Sequence, residues 1–106
     1  MKKVTILLKE TGQEIKKVEC VPIISKFKKL LNTSNLVYNP MFFSNIAIYL
    51  GFDSGQKKEF NCKIKNVDFY GNLIFVAENA CGYLTSLSHE QEQEIINAMK
   101  AYAVSP

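Results

Sequence analysis

The stretch Leu73-Ile74-Phe75-Val76-Ala77 is continuously apolar, and it decides how the rest of the chain is read. A strand with one solvated face alternates apolar and polar residues, whereas one covered on both faces does not need to. The run therefore predicts a central strand. Immediately before it, Tyr70-Gly71-Asn72 reads as a turn that closes a hairpin with residues 59–66. That earlier segment alternates, with Phe60, Cys62 and Ile64 on one face and Lys63 and Lys65 on the other.

After the run, Ser88 is a good helix N-cap, and Gln91 stands three residues on, where a capping box places it. Glu90, Glu92 and Glu94 crowd the first turns and Lys100 lies near the end, the arrangement the helix dipole favours. Ile95, Met99 and Tyr102, joined by Ile96 and Ala103, supply an apolar stripe.

Further upstream, residues 30–52 hold no charged side chain. Two readings compete for the second half of this stretch. Asn39 could cap a helix that has Pro40 at its first position and ends before Gly51. Alternatively Ile46, Ile48, Leu50 and Phe52 alternate as one face of a strand, and the strand is favoured over residues 45–52. Asp53-Ser54-Gly55-Gln56 then reads as a turn.

At the N-terminus, residues 2–9 and 14–20 read as strands joined at Thr11-Gly12-Gln13. Pro22 suits the first turn of a helix. Ile24, Phe27, Leu30 and Leu31 recur at helical spacing, with Lys26, Lys28 and Lys29 between them, and Asn32-Thr33-Ser34-Asn35 ends the element. The order is thus ββαβββα: a single α+β domain with a largely antiparallel sheet and two helices packed against it.

The chain has 106 residues and 47% hydrophobic content, enough for one core without disulfides or metal. No apolar run reaches the roughly 20 residues of a membrane helix, and the lysine-led start lacks the apolar region of a leader. The three cysteines, Cys20, Cys62 and Cys81, are odd in number and far apart, which fits a reducing compartment. A cytoplasmic location is expected. Cys62, Cys81 and His89 could ligate a metal, but their spacing matches no zinc pattern, and buried free thiols are the expectation.

No catalytic set stands out, and no cofactor is expected. His89 is the sole histidine and falls at a helix start. Asp53, Asp68 and Glu78 lie at expected turns or strand ends, and the scattered glycines build no phosphate-cradling loop. The chain is expected not to be an enzyme.

All thirteen basic residues are lysine. Arginine's planar fork is the usual reader of guanine edges, so sequence-specific DNA readout is hard to build here. Charge is uneven. Residues 1–65 hold twelve lysines against five acids, and residues 66–106 hold one lysine against five acids. Lys16, Lys17, Lys26, Lys28, Lys29, Lys63 and Lys65 could contact phosphates, or could simply solvate the outer faces of helix and sheet.

In the charge-free stretch, Tyr38, Pro40, Met41 and Phe42 fall on an expected loop. Aromatics and methionine without neighbouring charge are what the centre of a protein interface favours. Core filling is the competing reading.

Residues 72–91, N-L-I-F-V-A-E-N-A-C-G-Y-L-T-S-L-S-H-E-Q, resemble a family of uncharacterised small phage and plasmid proteins. The likeness lies in an apolar strand, a glycine-containing loop and the helix start Ser86-Leu87-Ser88-His89-Glu90-Gln91. The middle of the chain departs from that family's pattern. The resemblance implies a mobile-element origin. The expected function is that of a binding protein that occludes a host protein or ribonucleoprotein, a host-defence inhibitor being one instance. A nucleic-acid module using the lysines is the alternative.

Overall fold

The structure is a computed structural model that describes residues 2–52 and 58–103, with side chains described through residue 100. Its elements are β1 (Val4–Lys9), β2 (Lys16–Cys20), α1 (Ile24–Leu31), β3 (Leu36–Phe43), β4 (Ile46–Gly51), β5 (Phe60–Ile64), β6 (Val67–Tyr70), β7 (Leu73–Glu78), β8 (Leu84–Thr85) and α2 (His89–Ala103). The fold is α+β, with every strand pair antiparallel.

The apolar run does form the central strand. The large sheet has the order β2-β1-β7-β4-β3, and β8 pairs with the end of β7. Ala77 pairs with Ile46 on one side and Thr85 on the other, so β8 lies on the β1 flank of β7. Residues 73–77 are all buried because both faces of β7 are covered. Leu73, Phe75 and Ala77 join Leu7, Ile46 and Ile48 on one face. Ile74 and Val76 join Ile6, Leu8 and Ala47 on the other. Each fully buried Leu, Ile or Phe contributes about 1.5–3 kcal/mol, so this two-sided strand is a main source of stability.

Helix α1 covers the second face. Phe27 and Leu31, one turn apart, are buried there, while Ile24 is exposed. No side chain caps its start. Asn32 ends it in the left-handed region at φ 52°, with its N–H shared between the carbonyls of Lys28 and Lys29. Thr33 then rests on β4. A Cβ built on Gly51 would stand 2.7 Å from the Thr33 Cβ, so only glycine fits this approach.

The β5–β6 hairpin and α2 cover the first face, where Ile64, Phe69, Leu87 and Ile95 complete the core. The capping box of α2 forms as expected: Gln91 N–H donates to Ser88 Oγ at 3.1 Å, and Ser88 N–H donates to Gln91 Oε1 at 2.9 Å. Ile95 is fully buried and Met99 partly so, whereas the expected contributions of Tyr102 and Ala103 lie outside the described side chains. The expected turn at residues 53–56 likewise lies outside the described residues.

Two expectations are corrected. Residues 59–66 do not pair with residues 73–77. Lys65 and Asn66, at φ 47° and 71°, form a two-residue turn that folds residues 67–70 back as β6, giving a separate two-stranded sheet. Positive φ at both positions is the hairpin geometry usually signalled by Asn-Gly, and a lysine in the first position conceals it. The second correction concerns the expected loop at Tyr38, Pro40, Met41 and Phe42, which is strand. Residues 36–39 pair regularly with 51–48, then the register shifts before Phe43 pairs with Ile46. Pro40 is tolerated because β3 is the sheet edge and the bulge removes the need for its N–H. The same geometry rules out the helix reading of residues 40–50.

Candidate functional site

The β3 edge separates the four apolar candidates instead of presenting them together. Tyr38 pairs with Tyr49 and lies on the α1 side of the sheet. Its ring packs 5.4 Å from Tyr49, which packs 5.1 Å from Phe27 of α1. The Tyr38 hydroxyl donates to Glu78 Oε1. That hydrogen bond, with desolvation and the nearby negative charge, pushes the phenol up to about 12. The ring nonetheless stays half exposed.

Asn39 builds the bulge, its Oδ1 accepting the Met41 N–H at 3.0 Å. Met41 is thereby turned outward and is 86% exposed, the most of any large apolar side chain described. Phe42 points the other way. It packs edge-on against Phe69 at 5.2 Å and against the α2-side core. Phe42 is therefore shared between surface and core, Pro40 sits exposed in the bulge, and Tyr38 and Met41 remain as open contact residues. Val37, 40% exposed and paired with Leu50, opens onto the opposite, α2 side of the same edge.

The lysines are divided in the same way. Lys16 pairs with Glu10 at 2.8 Å. Lys17 pairs at 3.2 Å with Glu92 of α2, a buried carboxylate that would be left uncompensated without it. Lys63 pairs across its hairpin with Asp68 at 3.3 Å. Lys65 donates to the Phe42 carbonyl and stands 4.6 Å over the Phe43 ring, clasping the hairpin turn onto β3. These contacts lie on the α2 side of the sheet or at its β2 edge. Lys26, Lys28 and Lys29 sit on α1, across the sheet from Lys63 and Lys65, and have no ion pair among the described residues. The seven lysines thus make no single face.

The cysteines and histidine are likewise dispersed. Cys62 lies on β5, Cys81 in the turn after β7, and His89 begins α2 on the surface. Among the described residues, no group of three His, Cys, Asp or Glu is placed to hold a metal ion. Burial pushes the thiols of Cys20 and Cys62 up from their ordinary value, which keeps them protonated and poorly nucleophilic at neutral pH.

One feature was invisible in the sequence: a cleft of about 700 Å³ between β5, the C-terminal half of α2 and the β1–β2 turn. Ile15, Phe60, Cys62, Ile96 and Met99 make its apolar surface. Asn61, extra in the β5 bulge, ties its wall together, with Nδ2 donating to the carbonyls of Lys9 at 2.9 Å and Gly71 at 2.6 Å. The residues come from three separate segments, and only the exposed Phe60 carried a local signal, as an aromatic at a strand start.

No described helix is long and apolar enough to cross a membrane. Compared with protein-family models, characterised proteins and solved structures, the chain shows no significant match.

Proposed function

We propose that this chain is a non-enzymatic binding protein that holds a partner protein against the β3 edge, with Val37, Tyr38 and Met41 as contacts. The observation that carries the reading is Met41, which the bulge projects into solvent beside a half-exposed tyrosine in a charge-free strand. Exposed aromatic and methionine anchors are what interface centres use, and here Glu78 and Lys65 bring one charge of each sign to the ends of the patch. Pro40 and the bulge disfavour addition of a partner's strand along the full edge, so recognition runs through side chains. The α1 lysines lie on the same side as Tyr38, which favours an acidic partner. A mobile-element origin rests only on the resemblance read in residues 72–91, which no family model matches. The partner would then be a host protein or ribonucleoprotein, occluded as by a host-defence inhibitor.

Affinity capture from the native host tests this reading. The wild type retains a partner, and the Tyr38→Ala, Met41→Ala double variant loses it while staying folded by circular dichroism, its melting lowered only by the lost Tyr38 contacts with Tyr49 and Glu78. Equal capture by the double variant would exclude the β3 edge. A second reading, phosphate contact on nucleic acid, rests on Lys26, Lys28 and Lys29, whose ammonium groups are without ion pairs among the described residues.

A further inference from the structure

The cleft beside β5 has the size and lining of a ligand site and lies apart from the β3 edge. Its volume of about 700 Å³ falls in the range that encloses most of a small organic molecule. The lining charge is unbalanced, with Lys9, Lys63 and Lys100 against Glu14. Lys63 shares its charge with Asp68, and the Lys9 ammonium donates to the Glu10 carbonyl, which leaves its charge uncompensated. Lys100 has no ion pair among the described residues. An apolar floor beneath excess positive charge is complementary to one kind of occupant. Lysines act as point charges and make no bidentate demand, so a single anionic head suffices.

We propose that this cleft binds an amphipathic organic anion, its apolar body against Ile15, Cys62, Ile96 and Met99 and its charged head among Lys9, Lys63 and Lys100. The β1–β2 turn and α2 form opposite walls, so the occupant joins the N-terminal hairpin to the C-terminal helix. Ligation of this kind stabilises the folded chain in proportion to ligand concentration.

Calorimetric titration with decanoate, kept below its micelle concentration, tests the proposal. One saturable site is expected, with affinity falling about fourfold for each methylene removed, as burial of a CH₂ contributes roughly 0.8 kcal/mol. Decyltrimethylammonium, of equal length and opposite charge, should bind at least tenfold more weakly. Lys100→Glu, on an exposed position, should weaken decanoate at least tenfold while lowering the melting of the free protein only by the small loss of its favourable place near the helix end. A second readout uses the thiols. Decanoate should slow alkylation of Cys62 in the cleft and leave that of exposed Cys81 unaffected. Absence of saturable heat, equal binding of the cation, an unaffected Lys100→Glu variant, or unprotected Cys62 would each overturn the assignment.

Discussion

Replacing Phe42 and Met41 by alanine, one at a time, tests the geometry on which the binding surface rests. The two residues are adjacent in sequence, and strand alternation sends them in opposite directions, Met41 into solvent and Phe42 onto the core. Truncating a fully buried phenylalanine costs about 3–5 kcal/mol. Phe42 is only partly buried, which halves that figure, but it also loses its edge-on contact with Phe69, worth about 0.5–1.5 kcal/mol. Phe42→Ala should therefore lose about 2–4 kcal/mol. In a domain of this size each kcal/mol lowers Tm by about 4 °C, so the melt should fall by roughly 8–16 °C. Met41, 86% exposed, leaves almost no buried surface when truncated, and Met41→Ala should stay within about 0.5 kcal/mol of wild type. Thermal and urea denaturation followed by circular dichroism measure both. Equal losses for the two variants, or a loss below about 0.5 kcal/mol for Phe42→Ala, would refute the placement of Phe42 on the core and Met41 in solvent, and with it the separation of interface from core.

Gly51→Ala should cost about 1–3 kcal/mol, because the added methyl meets the Thr33 Cβ at 2.7 Å; Thr33→Ser, which keeps that Cβ, should not rescue the melt. The Tyr38 phenol, raised to about 12 mainly by its hydrogen bond to Glu78, holds its proton more tightly folded than unfolded. Its contribution to stability is therefore complete below the unfolded value of about 10 and is lost as pH rises from there through about 12. Phenolate absorbance should show this late ionisation, and an unmoved titration in Glu78→Ala, which removes both acceptor and charge, would disprove the cause. If nucleic acid binds the α1 lysines alone, log K against log salt should have a slope of about −3; a slope near −6 would require the lysines held in ion pairs to take part as well. Ser88→Ala should cost about 1 kcal/mol by removing the capping box of α2, measured by urea denaturation.

Elements whose signals are local were legible before folding. The continuous run at residues 73–77 announced a strand covered on both faces, since no polar residue interrupts it. Ser88 and Gln91 announced the start of α2, because a cap is made by residues three apart. Alternation located β4, and the spacing of Phe27 and Leu31 located α1. Turn chemistry was less legible where an unusual residue carried it. Lys65 occupies a left-handed position that glycine or asparagine more often marks, so β6 and the separate hairpin were missed.

Apolar character and charge were plain in the sequence, but the direction of each side chain was not. Whether Phe42 or Met41 faces the core depends on how β3 registers against β4, a pairing between chain segments that no single-segment pattern encodes. The same holds for the lysines: Lys17 meets Glu92 and Lys65 meets Phe42 only after the sheet is assembled. The cleft is the extreme case, since Ile15, Cys62 and Met99 become neighbours solely through the packing of α2 and β5 beneath the N-terminal hairpin. Residue chemistry and local periodicity thus determined which elements form and what they can bury. Long-range strand pairing decided which side chains stay in solvent, because only the assembled sheet has two faces and an edge.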